Sequence, residues 1–108
     1  KNRKNVLHTD FLKLLHRHYK KEREMAFYAD KLCVTPKYLA QVIKDVTGHS
    51  AMKYIEDYVM SESKALLSST NMTIQQISDE LNFPSQSVFG KYFKRIAGVS
   101  PREYRNRY

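Results

Sequence analysis

One phrase occurs twice in this chain. "GHSAMKY" begins at Gly48 and "GVSPREY" begins at Gly98, fifty residues on, in a sequence of 108. A repeat of that period constrains the fold more than any single motif does, because one supersecondary unit has to serve in both places. The agreement extends upstream. "ADKLCVTPKYLAQVIKDVTG" aligns with "SDELNFPSQSVFGKYFKRIAG" once the second copy is given one extra residue in its turn. Asp30 then pairs with Asp79, Leu32 with Leu81, Lys44 with Lys94, Gly48 with Gly98, Ser50 with Ser100 and Tyr54 with Tyr104.

Each copy has the punctuation of two helices. In the first, Thr35 is a good N-cap and Pro36 fits the first helical position, where no backbone N–H is needed. Tyr38, Leu39, Val42, Ile43 and Val46 recur at helical spacing as an apolar stripe, and Gly48 stands where a helix stop favours positive φ. In the second copy Thr73 caps a short helix carrying Ile74, Ile77 and Leu81. Ser85 caps the next, with Val88, Phe89, Tyr92, Phe93 and Ile96 as its stripe, and Gly98 closes it. Ser100, Pro101 and Glu103 then open a last helix as a capping box. Ser50 to about Thr70 reads as one long helix stopped by Asn71, with Ile55, Val59, Leu66 and Leu67 facing inward.

Upstream, "KNRKNVLH" (residues 1–8) reads as a basic linker or frayed end. Thr9 or Asp10 is expected to cap a helix bearing Phe11, Leu14, Leu15 and His18 and ending in "KKERE". Met25–Cys33 forms a shorter one, with Cys33 as a small apolar core position. The expectation is an all-α fold of about seven helices, two helix-turn-helix units joined by a long helix. The first unit with its leading helix takes residues 9–49, the connecting helix 50–71, and the second unit with its closing helix 72–108. Only three Gly and three Pro disfavour an all-β alternative with its many tight turns.

Charge narrows the function. Nineteen Lys and Arg oppose eleven Asp and Glu, a net +8, and from Lys91 onward only Glu103 opposes Lys91, Lys94, Arg95, Arg102, Arg105 and Arg107. Such a balance suits a polyanionic partner, whose condensed counterions each bound cation releases. The single cysteine excludes an internal disulfide and is compatible with a reducing cytoplasm. His16 and His18, two apart on a helix, face different ways, so no zinc site is expected, nor any other cofactor. No apolar run reaches membrane-span length, and the longest helix carries Glu56, Asp57 and Glu62, unlike a basic membrane-surface helix. No nucleophile–base pair, glycine-rich phosphate loop or paired carboxylate suggests an enzyme. Beginning at Lys1 and not at Met, the chain is expected to be a piece of a longer one.

A helix-turn-helix reads duplex DNA by placing the N-terminal part of its second helix in the major groove. A twenty-residue connecting helix would span roughly 30 Å, a little short of the roughly 34 Å of one DNA turn, so the duplex would have to bend. Opposite the apolar stripes lie Lys37, Ala40, Gln41 and Lys44 in the first unit, and Gln86, Ser87, Gly90, Lys91 and Lys94 in the second. Gln can pair with adenine N6 and N7, and Lys can reach guanine O6 and N7. Phosphate contacts are expected at Thr35, Ser85, Lys94, Arg95, Arg102 and Arg105, which would set register without reading sequence. An RNA-binding or protein-interaction module is the alternative. It would call for exposed aromatics, whereas most Tyr and Phe here fall on core stripes.

These residues carry a resemblance. "TIQQISDELNF" with "SVFGKYFKRIAGVSPREYR", and "YADKLCVTPKYL" with "TGHS" in the first unit, resemble the C-terminal DNA-binding domain of the AraC/XylS family of bacterial transcription regulators, from Phe11 through Tyr104. The resemblance implies seven helices, with groove contacts at Lys37, Ala40, Gln41, Gln86, Ser87, Val88 and Lys91. It also implies a sensor or dimerisation domain outside this chain, and RNA polymerase as a partner of the intact regulator. The sequence departs from the family's usual Gly at Asn82, Ser at Pro84, Arg at Val59 and frequent Arg at Lys91. Asn tolerates positive φ next best after Gly, and Ser85 can take over the cap. Lys91 makes a less bidentate contact than Arg would.

Overall fold

The computed structural model describes residues 2–108. It contains α1 (Arg3–His18), α2 (Met25–Lys31), α3 (Pro36–Thr47), α4 (Ala51–Ser69), α5 (Ile74–Glu80), α6 (Gln86–Ala97) and α7 (Pro101–Arg107), with no strand among the described residues. The helices divide into two compact units, one ending at Tyr58 and one comprising Val59–Tyr108. The division falls inside α4, within the stretch expected to be the connecting helix.

In the first unit α1 starts earlier than expected. The Asn2 side chain accepts from the Lys4 backbone N–H at 2.7 Å, capping a helix that begins at Arg3. Residues 3–8, expected as a linker, are therefore its opening turns; Lys1 lies outside the described residues. Thr9 caps nothing, and its hydroxyl donates to the Asn5 carbonyl one turn back at 2.9 Å. Phe11 and Leu15 are fully buried. Tyr28 packs edge-on to Phe11 with ring centroids 5.5 Å apart, and its hydroxyl donates to the Glu22 carbonyl at 2.7 Å. Burial, with Glu22 adding to it, pushes the Tyr28 phenol up to about 12. Leu39, Val42 and Ile43 turn α3 onto α1 and α2.

The second unit repeats the plan. α5 opens on a capping box between Thr73 and Gln76, and α7 on one between Ser100 and Glu103. Its core holds Ile77, Leu81, Phe83, Phe89 and Phe93, with Phe93 edge-on to Tyr104 at 5.6 Å. From α4, Val59, Met60 and Leu67 are buried, and the buried Ser63 hydroxyl donates to the Val59 carbonyl at 2.7 Å. Leu66, expected inward, is half-buried.

The two turns are built alike. Cys33 has φ +59° and Asn82 φ +58°. The next residue's N–H then reaches back, Val34 to the Ala29 carbonyl at 3.0 Å and Phe83 to the Ser78 carbonyl at 2.9 Å. Asn82 was expected at such a position; Cys33 was not. It is exposed, at a corner where the backbone conformation and not an apolar environment sets its place. The apolar stripes of α3 and α6 are also narrower than expected. Tyr38 is 49% and Val88 44% exposed, each standing one residue before the buried Leu39 or Phe89, on the flank of the apolar face.

Left-handed backbone costs an L-residue about 1–2 kcal/mol, and Gly regains that at an entropic cost of about 0.5–1 kcal/mol. Cys33→Gly should therefore raise the melting temperature by a few degrees. Asn82→Gly should raise it less, since Asn tolerates this conformation. A lower melting temperature for Cys33→Gly, followed by circular dichroism, would contradict the strain at this turn.

Candidate nucleic-acid interface

The polar faces of α3 and α6 follow from what each helix buries. With Leu39, Val42 and Ile43 turned inward, helical geometry leaves Lys37, Ala40, Gln41 and Lys44 together on the outer side, and all four are exposed. With Phe89 and Phe93 inward, Gln86, Ser87, Lys91 and Lys94 are exposed on α6, and Val88 joins them at its flank. The centre of each face is low. Ala40 occupies it in α3, and at the matched Gly90 nothing outside the local helix backbone lies within 4 Å of where a Cβ would stand. A small residue ringed by long polar ones lets a base edge approach the backbone closely.

The caps place two hydroxyls at the entrance of these helices. Thr35 Oγ1 accepts from the Tyr38 N–H at 3.1 Å, and Ser85 Oγ from the Val88 N–H at 3.1 Å. Each keeps its own O–H free to donate to a phosphate oxygen. The N-terminal ends of α3 and α6 add the partial positive charge of the helix dipole.

Basic side chains surround the second face. Lys94 and Arg95 lie in the last turn of α6, the Arg95 guanidinium 5.3 Å from the Tyr92 ring centroid. Arg102 is exposed and lines a cleft of about 420 Å³ with Gln86, Thr73 and Arg105. Glu103 does not oppose this field freely. The Ser100 backbone N–H holds its carboxyl below the usual range, with Lys94 and Arg107 adding to the effect.

Arg105 departs from its expected place on a phosphate. Its Nε donates to the Leu67 carbonyl at 2.9 Å, and its Nη2 faces the carbonyls of Thr70 at 3.4 Å and Leu66 at 3.5 Å. These carbonyls lie at and just past the end of α4, where the helix supplies no backbone N–H to Leu67; that of Leu66 also accepts the Thr70 hydroxyl at 2.6 Å, and a planar guanidinium suits several at once. The sequence carried no signal of this, because Arg105 and Leu67 are 38 residues apart.

A second feature was missed in the first unit. Gln41 Nε2 donates to Asp45 Oδ1 at 2.8 Å, and Lys4 Nζ from α1 reaches Asp45 Oδ2 at 3.2 Å. The Gln41 hydrogen bond first, and Lys4 second, hold the Asp45 carboxyl below its usual range. The four-residue Gln–Asp spacing was legible on a helix; the partner from α1 was not. At the matched positions of α6 stand Lys91 and Arg95, so no carboxylate lies one turn beyond Lys91.

The profile of a helix-turn-helix domain family matches residues 28–107. The arabinose operon regulatory protein of Salmonella typhimurium is 33% identical over 82 residues, covering 76% of this chain and 29% of that protein. The chain belongs to the AraC-type helix-turn-helix family. It spans under a third of the length of the curated relatives it matches first. Among solved structures, the C-terminal domain of AraT, a response regulator from Geobacillus stearothermophilus, superposes with a TM-score of 0.89 at 27% identity, over 99% of this chain and 89% of that one. The DNA-binding domain of AdpA, solved in complex with a target DNA, shares the fold with a TM-score of 0.81 at 16% identity, over 94% of this chain and 91% of that one. The AraC-type plan of two helix-turn-helix units is thus the architecture that the internal repeat encodes.

Arg105 should act on stability before it acts on binding. Arg105→Ala is expected to cost about 1–2 kcal/mol of unfolding free energy, as charged hydrogen bonds to the carbonyls at the end of α4 are lost, and Arg105→Lys should restore little of it. Urea titration measures this. An unchanged midpoint with a shallower salt dependence of DNA binding would return Arg105 to the phosphate set.

Proposed function

We propose that this AraC-type domain binds double-stranded DNA sequence-specifically as the C-terminal part of a bacterial transcription regulator, with α3 and α6 entering successive major grooves of one duplex. The observation that carries this reading is the pair of matched faces. Two helices related by the repeat each expose polar side chains around a small central residue, behind a capped N-terminus. One continuous helix runs through the division between the units that bear them. Support also comes from the relatives, named as regulators, and from AdpA, whose domain of this fold was solved on its target DNA.

Lys37, Ala40, Gln41 and Lys44 read bases from α3, and Gln86, Ser87, Val88 and Lys91 from α6. Ala40 and Val88 do so by apolar contact, as with a thymine methyl group. Thr35, Ser85, Lys94, Arg95 and Arg102 hold phosphates and set register. A sensor or dimerisation domain accompanies this one in the intact regulator, as the greater length of its relatives suggests. The intact protein acts on RNA polymerase at a promoter in the cytoplasm.

Competition among duplex DNA, duplex RNA and single strands tests the class of partner, and duplex DNA is expected to win. Alanine at Gln41 or Lys91 should relax preference at one base pair and cost about 1–3 kcal/mol there. Arg102→Ala should weaken every duplex alike and lower the salt slope by about 1. Equal losses on all sequences from all three variants would contradict the division into readers and anchors.

A further inference from the structure

Gln41 and Asp45 lie one turn apart on α3, and Asp45 is in turn engaged by Lys4 from α1. As a surface ion pair, with the two side chains 49% and 39% exposed, the Lys4–Asp45 contact adds little to stability. Its consequence is orientational. A carboxylate only accepts, so the Gln41 amide nitrogen must face Asp45 and the carbonyl Oε1 is turned away from it. An unrestrained glutamine presents either end of its amide at will, because the two ends are nearly the same size and shape. Here a flip would set Oε1 against the carboxylate oxygen at the same short distance, two acceptors with no proton between them. Lys4, bonded to the other carboxylate oxygen, keeps Asp45 from swinging aside.

We propose that Asp45, held by Lys4, is a positioning residue for specificity, fixing the Gln41 amide so that its acceptor oxygen faces the groove. The proposal rests on Gln41 being a base reader, as assigned above. In the major groove an outward acceptor is complementary to the exocyclic amino groups, N6 of adenine and N4 of cytosine. It is repelled by the carbonyl oxygens O6 of guanine and O4 of thymine. The second hydrogen of Gln41 Nε2 stays free, so bidentate pairing with adenine N6 and N7 remains open. The first unit thereby selects an amino-bearing base at one position. The second has Arg95 in place of the carboxylate and Lys91 as reader, and has no such restriction.

The test uses the whole 108-residue chain and duplexes carrying its selected site. Four duplexes, differing only at the pair where Gln41→Ala loses discrimination, are competed against one another. The wild-type chain should prefer adenine or cytosine on the contacted strand over guanine or thymine on the order of tenfold. Asp45→Ala should erase that preference while preference at the α6 positions persists, which shows that the variant is folded. Asp45→Glu, which returns a carboxylate within reach, should restore it. In the double variant Gln41→Ala/Asp45→Ala, no further loss is expected. Retained preference in Asp45→Ala would overturn the positioning role and leave Gln41 as a reader. A wild-type preference for guanine or thymine there would overturn it as well. If Gln41→Ala alters no position, the assignment of Gln41 itself falls, and the role of Asp45 with it.

Discussion

Two backbone hydrogen bonds set the geometry on which the rest of each unit depends. Val34 and Phe83 follow left-handed residues, and their N–H groups reach back to carbonyls in the preceding short helices. That bond and the positive φ together fix the direction in which α3 leaves α2 and α6 leaves α5. Once that direction is fixed, the apolar side of each second helix has one place to go, and its polar side is exposed by exclusion. The exposed polar face thus results from a turn and a buried stripe, without requiring any contact among the polar residues themselves. The same turn is made with Cys in one unit and Asn in the other, which shows that backbone conformation is what the site demands.

Burial and charge divide the labour among the remaining residues. The cores are apolar and include several aromatic pairs, so the chain's net +8 is carried on its surface. Basic residues gather in α6 and α7, where Glu103 is engaged by its own helix cap. Long-range attraction of this kind brings a duplex close and sets register but distinguishes no sequence. On the proposed reading, discrimination falls to the few side chains around Ala40 and Gly90. The two units are not equivalent there. At one position stands a neutral amide hydrogen-bonded to a carboxylate, Gln41 on Asp45; at the matched position stands Lys91 with Arg95 one turn on.

Much of this was legible in the sequence because it is local. Caps at Thr35, Thr73, Ser85 and Ser100, stops at Gly48 and Gly98, and the alternation of buried and exposed positions along α3 and α6 all depend on residues within a turn or two of one another. The eight expected base readers are all exposed, because solvent exposure on a helix follows from its apolar stripe. What could not be read depends on distant partners or on a subtle balance. Asn2 caps α1 in a stretch whose basic composition suggested fraying. Cys33 has the side chain of a small core residue, but backbone conformation decides its place. Tyr38 and Val88 matched the period of the stripe but lie at its edge, where the neighbouring helix does not cover them. Arg105 at the end of α4 and Lys4 on Asp45 bridge residues far apart in the chain, and periodicity carries no information about such pairs.

Selection of bound sequences from a random duplex library, at near-physiological salt, tests the central claim most directly. Two short blocks of preference, centred about one helical turn or 10 bp apart, are expected if α3 and α6 both read bases. Enrichment of a single block would contradict that claim, leaving one unit as reader and the other as an anchor on the phosphates.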